Sequence, residues 1–300
     1  MGEFISLALT LGLTVGQPAP DSVSDRMENT IRVLIASQCS ATVAVSYRDL
    51  GTGRSFDIAG DSVFHAASTM KIPVMIEVLK RAQDGAFSLD QEILLVNQFA
   101  SLADGSPFSL NKDDDGDSVL YGKVGERVAI RELLQRMITR SSNLATNQLI
   151  ELVGAANVTA TARELGAKHL SVLRGVEDQK AFDKGMVNTT TSADLATLLS
   201  LIEKGNVLSG ASSAEMRTIL LAQEFNEKIP AGLPKGTKVA HKTGEITAVS
   251  HDAAIIYPSG KKPYVLVVLT KGIRDPAASS SLIAAISRTI WMLSGYGSFD

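Results

Sequence analysis

The chain has 300 residues, of which 45% are hydrophobic and 20% are charged, so it is long and apolar enough to bury a sizeable core. Its formal net charge is −3 and its basic residues are scattered, which argues against nucleic acid as a partner because binding would need a basic stripe. One cysteine, Cys39, cannot form an internal disulfide bond, and the four histidines lack the close spacing of a metal-binding motif, so we expect no metal and no other cofactor.

The first twenty residues predict an export signal or a tag. An apolar run covers residues 4–15, which is too short to cross a bilayer as a helix, so we expect no membrane span. The run resembles the apolar core of an export signal, although a positively charged leading segment and a clean cleavage site are missing. We therefore expect residues 1–20 to be a signal remnant or tag, and the protein to be periplasmic or secreted.

Residues 21–38 carry apolar side chains at helical spacing, with Asp or Ser as the predicted cap. Apolar and polar residues then alternate in ATVAVSYRDL, and RSFDIAG continues after a GTG turn, which predicts a β-hairpin. From Ser68 to about Gln223 the pattern is mostly helical, with breaks that contain glycine.

The pattern then returns to strands. KVAHKTGEIT, SHDAAIIYP and KPYVLVVLT predict three strands, and DPAASSSLIAAISRTIWMLSG predicts a terminal amphipathic helix. Strands at both ends predict an α/β (α+β) fold, in which an antiparallel sheet flanked by N- and C-terminal helices carries an inserted all-helical domain. We place the sheet domain in residues 21–67 and 224–300, the helical domain in residues 68–223, and the active site between them.

A serine and a lysine lie three residues apart where a helix is predicted to begin, in FHAASTMKIPVMIEVLK. On a helix, Lys71 shares a face with Ser68, and a lysine in a partly desolvated pocket can lose its proton near neutral pH and activate the hydroxyl. Taken alone, the pair is better explained as a capping serine and a surface lysine. Two further S-x-x-K matches lack the helical continuation and are treated as chance: Ser109 with Lys112, and Ser259 with Lys262.

Two more short motifs follow in suitable contexts. Ser141, Ser142 and Asn143 stand just ahead of a predicted helix, where serine and asparagine are also good caps. The run Lys242–Thr243–Gly244 lies in a predicted strand, where a lysine can protect a sheet edge and a glycine can mark a close backbone approach. Each motif has an ordinary structural explanation, but all three occur in order around a helical segment.

In this order and spacing, the three motifs resemble those of class A β-lactamases and their penicillin-binding relatives, from about Asp21 onwards. The resemblance implies that Ser68 is the acylated nucleophile and that Lys71 is its base or a proton relay. It implies that Ser141 passes a proton to the leaving nitrogen. The backbone N–H groups of Ser68 and Glu245 would form the oxyanion hole.

The same resemblance implies which residues bind the substrate. Asn143 would hold the amide of the substrate's side chain, and Lys242 and Thr243 would bind its carboxylate. Gly244 completes the third motif. Two lysines in one pocket lower each other's pKa, which favours a neutral Lys71.

One part of the family pattern is broken. Class A enzymes use a glutamate, followed four residues later by an asparagine, to hold the water that hydrolyses the acyl-enzyme. Glu177 lies at the expected interval after Asn143, but Ala181 occupies the place of the asparagine. Three alternatives stay open: Glu177 is the deacylation base with help from Asp178 or Gln179, the water is held poorly and the enzyme stays acylated, or Glu177 is a solvated loop charge.

Two other features have weaker interpretations. The segment NKDDDGD resembles the start of a calcium loop, but Gly122 occupies the position of the closing glutamate, so a solvated loop that borders the site is the better prediction. Arg274, after the last predicted strand, is a weak candidate for a third cation near the substrate carboxylate.

The resemblance as a whole implies a serine hydrolase that opens β-lactam rings through a covalent acyl-enzyme. A D,D-peptidase, an esterase or amidase with slow deacylation, and a covalent β-lactam receptor are the alternatives. The expected partner is a small β-lactam or a D-Ala-D-Ala-like peptide, and we expect a monomer.

Overall fold

The strands come from both ends of the chain and from short pairs within the helical region. A computed structural model describes residues 22–38 and 41–297. Its strands are, in chain order, β1 (Thr42–Asp49), β2 (Ser55–Ile58), β3 (Phe64–His65), β4 (Glu92–Leu94), β5 (Phe99–Ala100), β6 (Pro107–Phe108), β7 (Arg127–Ala129), β8 (Thr189–Thr190), β9 (Lys238–Ile246), β10 (Val249–Tyr257) and β11 (Tyr264–Lys271).

Most of the helices lie between the second and ninth strands. In the described chain they are α1 (Val23–Ala36), α2 (Lys71–Gln83), α3 (Ile130–Thr139), α4 (Asn143–Val153), α5 (Ala155–Glu164), α6 (Gln179–Asp183), α7 (Ser192–Lys204), α8 (Gly210–Leu221) and α9 (Pro276–Leu293). A 3₁₀ turn, Ala67–Met70, leads directly into α2. Ser22 caps α1 in a reciprocal capping box with Asp25, so the polar residues before the apolar run set the start of this helix.

The main sheet is antiparallel and has the strand order β2-β1-β11-β10-β9. The predicted hairpin pairs Val45 with Ile58, and the three consecutive C-terminal strands pair with one another, so these predictions are confirmed. Because β1 joins β11, the two ends of the chain meet in the middle of the sheet. Strand β9 is left at an edge, and its residues face the helical region.

The sheet is covered on both faces, which gives two hydrophobic cores. Helices α1 and α9 cover one face, where Met27 and Ile31 pack with Ile286 against the inward side chains of the strands. The other helices cover the opposite face in a larger core. This three-layer arrangement confirms the predicted mixed fold, in which an antiparallel sheet is flanked by terminal helices.

Helix α2 runs through the middle of the helical region. Every residue from Lys71 to Leu79 is buried, and the helix contacts α3, α4, α5 and α8. An apolar surface on all sides is expected for a helix at the centre of a core. The lysine at its first position is therefore held inside the protein rather than at its surface.

The structure adds detail that the sequence patterns did not predict. The region predicted to be mostly helical also contains the short strands β4 to β8, of which β4 pairs with β7, β5 with β6, and β8 with β3, a short strand just ahead of that region. Residues 1–20 and Cys39 lie outside the described residues, so the predictions made for them are not addressed by the structure. Within residues 22–38 and 41–297, no helix is both long and apolar enough to cross a bilayer.

Candidate active site

Ser68 lies in the 3₁₀ turn that leads into α2, and the residue before it has a strained backbone conformation. Ala67 has φ +44°, a left-handed conformation that a side chain makes unfavourable. The turn places Ser68, which is half-buried, on the wall of a cleft, while Lys71 is fully buried one turn later. The local sequence thus presents the hydroxyl to solvent and the amine to the protein interior.

Lys71 makes its described hydrogen bonds to the second motif. Its Nζ lies 2.7 Å from the carbonyl oxygen of Ser141, 3.0 Å from Ser141 Oγ and 2.9 Å from Asn143 Oδ1. The sequence indicated that Lys71 can reach the Ser68 hydroxyl from the same helix face. Instead, the described hydrogen bonds of this lysine end on Ser141 and Asn143.

Burial lowers the pKa of Lys71 and of Lys242. It lowers the pKa of Lys71 to about 7, although the negative charges of Asp115 and Glu177 oppose the shift. Burial also lowers the pKa of Lys242 well below its ordinary value, and repulsion from Lys71 adds to this effect. Two neighbouring lysines that resist double protonation can pass a proton at neutral pH.

Ser141 lies between the two lysines. Its Oγ is 3.0 Å from Lys71 Nζ and 3.0 Å from Lys242 Nζ, so the three groups form a continuous chain. Ser141 has φ +56°, which is strained for a residue with a side chain. Lys242 also donates to the carbonyl oxygen of Thr243 at 2.8 Å, which fixes its amine beside the serine.

Gly244 lets the edge strand β9 approach the turn that carries Ser68. A Cβ at this position would lie 3.0 Å from the amide nitrogen of Ser68 and 3.1 Å from that of Thr69. The close backbone approach proposed for this glycine is therefore present. It brings Glu245, the next residue of β9, to the same cleft wall as Ser68, where their two N–H groups can point at one oxyanion.

Asn143 connects the lysine to the loop glutamate. Its Oδ1 accepts from Lys71, and its Nδ2 donates to Glu177 Oε1 at 2.6 Å. Desolvation raises the pKa of Glu177, with a further contribution from the negative charge of Asp115. Glu177 therefore makes a specific hydrogen bond in the cleft, which the alternative of a solvated loop charge did not include.

The loop that carries Glu177 is anchored on both sides of it. Asn147, one turn after Asn143 on α4, accepts from Val176 N at 2.6 Å and donates to Val176 O at 3.0 Å. The Asp178 carboxylate is buried and accepts from Ser101 Oγ and from the amide of Leu102, both at 2.8 Å. These contacts hold the glutamate between two fixed residues.

Neither residue considered as a helper of Glu177 faces it. Asp178 is turned towards Ser101 and also caps α6, while Gln179 donates to Asp183 at 2.6 Å. Ala181 is fully buried in α6 and offers no polar group. The glutamate instead accepts hydrogen bonds from Asn143 and from the backbone of Asn111, which lie in other parts of the chain.

The cleft has two lobes that meet at the turn carrying Ser68. One lobe, about 380 Å³, contains Glu177 together with the exposed apolar side chains of Phe182 and Ile246. The other lobe, about 310 Å³, contains Ser141 and Thr243 together with several charged residues. Ser68, Asn143 and Glu245 line both lobes, so a group bound at Ser68 can extend in two directions.

Sequence reasoning missed Lys228 and assigned Asp115 to a solvated loop. Lys228 is buried, lines the second lobe, and its Nζ lies 2.9 Å from Glu245 Oε2. Asp115 Oδ2 accepts from the amides of Asn143 and Leu144, both at 2.9 Å, and so caps α4. The solvated-loop prediction is therefore wrong for Asp115, whereas its position bordering the site agrees with the structure.

The remaining candidates lie elsewhere among the described residues. The histidine next to Lys242 in β9, His241, belongs to the opposite face of the strand because side chains alternate, and its Nδ1 lies 3.0 Å from Asp252 Oδ1. Arg274 is exposed and lines neither lobe of the cleft. Ser109 and Ser259, the two other S-x-x-K serines, are likewise exposed and outside both lobes.

A serine whose neighbour is a buried lysine of lowered pKa, placed between a sheet and a helical region, is the arrangement of an acyl-transferring serine hydrolase. The sequence matches the model of the beta-lactamase enzyme family over residues 26–293, and the chain therefore belongs to that family. It is 30% identical over 283 residues to beta-lactamase AST-1 of Nocardia asteroides, an alignment that covers 92% of this chain and 87% of the relative.

Solved structures agree with this assignment. A beta-lactamase from Xanthomonas campestris pv. campestris has a TM-score of 0.80 at 25% identity, over 91% of this chain and 99% of that one. The structure of PBP-A has a TM-score of 0.77 at 29% identity, over 89% of this chain and 95% of that one. Similarity thus extends to proteins named for β-lactam hydrolysis and to one named as PBP-A.

Proposed function

We propose that this protein hydrolyses β-lactams through an acyl-enzyme formed on Ser68. The observation that carries the proposal is Glu177, which is held in the same cleft as Ser68 by a 2.6 Å hydrogen bond from Asn143. A carboxylate of raised pKa at this position can accept a proton from a water, and hydrolysis of an acyl-enzyme needs such a base. The Nocardia relative is named a beta-lactamase.

In the acylation step, the Ser68 oxygen attacks the lactam carbonyl carbon and its proton passes to neutral Lys71. The N–H groups of Ser68 and Glu245 stabilise the oxyanion. When the C–N bond breaks, the leaving nitrogen takes a proton from Ser141. Lys71 replaces that proton across the 3.0 Å contact with Ser141 Oγ, so both lysine and serine return to their starting states.

In the deacylation step, Glu177 accepts a proton from water while the oxygen of that water attacks the ester carbonyl. When the ester C–O bond breaks, the proton held by Glu177 passes to the Ser68 oxygen, so the serine and the glutamate return to their starting states and the product leaves as a carboxylic acid. Asn143 contacts both Lys71 and Glu177, so it aligns the groups of the two steps. In this proposal Asn143 takes over part of the alignment for which relatives use the asparagine that Ala181 replaces.

The test is the time course of a chromogenic cephalosporin with stoichiometric and with catalytic amounts of enzyme, followed by intact mass of the protein. We expect turnover well beyond one equivalent and a transient adduct on Ser68. Ser68→Ala abolishes both, while Ser109→Ala, in a matched S-x-x-K sequence outside the cleft, retains both. A burst that stops at one equivalent would instead support a D,D-peptidase or a covalent receptor.

We further infer that the protein is exported to the periplasm or secreted, acts as a monomer and contributes to β-lactam resistance. The apolar run of residues 4–15 supports export, because it has the length of a signal core. Fractionation of the host, the mass of the purified protein in solution, and the inhibitory concentration of a penicillin with and without the gene test these three inferences.

A further inference from the structure

The second lobe of the cleft contains an ion pair in which the carboxylate of Glu245 shields the ammonium of Lys228 from other anions. Lys228 is buried, and its Nζ contacts Glu245 Oε2 at 2.9 Å. The Glu245 side chain is 48% exposed, so it can swing into solvent, whereas Lys228 cannot. A buried ammonium requires a partner, and in the free protein that partner is the glutamate.

The position of this pair matters because the lobe also contains Ser68, Ser141 and Thr243. A penicillin or cephalosporin acylated at Ser68 carries its ring carboxylate on the leaving side, next to Ser141. Lys242 is fully buried there, and its amine is already engaged with Ser141 Oγ at 3.0 Å and with the carbonyl oxygen of Thr243 at 2.8 Å. Lys228 is therefore a cation that a ring carboxylate can use, once Glu245 releases it.

We propose that the Glu245 carboxylate stands in for the substrate carboxylate on Lys228, and that a β-lactam bearing a ring carboxylate displaces it. This inference rests on the proposed function. Glu245 would then have two separate roles: its backbone N–H belongs to the oxyanion hole, and its side chain sets how strongly the site favours an anionic substrate.

The surrounding charge makes the displacement unfavourable. Asp114 and Glu227, both exposed, line the same lobe, so a displaced Glu245 and an incoming carboxylate join an already negative region. Like charges in a cleft oppose the approach of an anion. The intact protein should therefore discriminate only weakly between a β-lactam acid and its uncharged ester, because the benefit of Lys228 is offset by the loss of its partner.

The experiment compares benzylpenicillin with its methyl ester, which share the lactam and the acyl side chain. The second-order rate constant of acylation is measured for each compound by quenched-flow intact mass, in wild type, Glu245→Gln and Glu227→Gln. Glu245→Gln keeps the backbone N–H and removes only the competing charge. The ratio of the acid's rate constant to the ester's should rise on the order of three- to fivefold, the value of one partly exposed ion pair.

Glu227→Gln is the matched control, because it removes one carboxylate from the same lobe without touching Lys228. Its effect on the acid should be about twofold or less and should vanish in about 0.5 M sodium chloride, since exposed charges are screened. The effect of Glu245→Gln should largely persist in salt, because Lys228 is buried.

Three results would overturn the inference. An acid-to-ester ratio that does not change in Glu245→Gln would show that the glutamate does not compete. A lower rate constant for the acid would show that Glu245 positions Lys228 for the substrate instead. If wild type is acylated by neither compound, the proposed function itself fails, whereas acylation of wild type with an unchanged ratio removes only the inference about Glu245.

Discussion

The rate of acylation should follow the protonation of Lys71. Burial lowers the pKa of this lysine to about 7, and only the neutral amine can accept the Ser68 proton. With that pKa, the neutral fraction is about one tenth at pH 6 and about nine tenths at pH 8. The second-order rate constant should therefore rise about tenfold between these values and level off above pH 8.

The same structure predicts how the profile moves. The negative charge of Asp115 favours the protonated form of Lys71 and so raises its pKa. Asp115→Asn removes that charge, and the midpoint of the profile should shift to lower pH. Asp113→Asn is the control, because Asp113 is exposed in the same loop and makes no contact with α4 through its carboxylate among the described hydrogen bonds.

The assay is stopped-flow acylation by a chromogenic cephalosporin from pH 5.5 to about 9, at substrate concentrations where the rate is second order. The series is repeated in Glu177→Gln, which removes titration of the glutamate; because the negative charge of Glu177 also raises the pKa of Lys71, the midpoint in this variant should lie at lower pH than in the wild type. A rate that is flat between pH 6 and 8, or a midpoint above about 9, would refute a neutral Lys71 as the base. A midpoint that moves upwards in Asp115→Asn would refute the electrostatic argument.

Three further predictions concern the loop, the edge strand and a buried ion pair. Glu177→Gln keeps an acceptor for Asn143 but removes the base, so kcat should fall about 10²–10⁴-fold while an acyl-enzyme accumulates in intact mass; an unchanged kcat contradicts the role. Gly244→Ala should cost about 1–3 kcal/mol in thermal unfolding and slow acylation, whereas Gly210→Ala, with no atom within 4 Å of the new Cβ, should do neither. Asp117→Asn should lower the unfolding free energy by about 3 kcal/mol, since the buried Asp117 carboxylate pairs with Arg136 at 2.6 Å. If the variant has the same denaturation midpoint as the wild type, the pair contributes little to stability.

Local sequence patterns predicted the fold because each pattern reflects which side chains of a helix or strand must be buried. The nearly continuous apolar runs of β10 and β11 are those of strands buried on both faces, and the helical periodicity of α1 and α9 reflects the one face that each helix buries. Likewise, Gly244 could be recognised, because a glycine inside a strand marks a close approach of another backbone. The short strands β3–β8 have two or three residues each and carry too few positions to show a period.

Contacts between distant segments explain what the sequence did not reveal. Lys228 lies before β9 in a stretch that carries no motif, and its importance appears only when its contact with Glu245 is known. Asp115 stood in an acidic run that is typical of solvated loops, yet its side chain folds back to cap α4. Asn147 carried one usable signal, since it lies one helical turn after Asn143 on the same face.

Backbone strain links these contacts to the chemistry. Ala67, Ser141 and Glu177 all have positive φ, in a conformation that costs on the order of 1–3 kcal/mol for a residue with a side chain. A glycine would relieve the strain but would delete the Ser141 hydroxyl or the Glu177 carboxylate, so two of these positions cannot be relaxed without losing the side chain. Lys71, Lys242 and the Asn143 amide make hydrogen bonds to those side chains, and these bonds offset the strain. The groups that we assign to proton transfer are therefore also the groups that hold the cleft in shape, and removing any one of them should disturb the positions of the others.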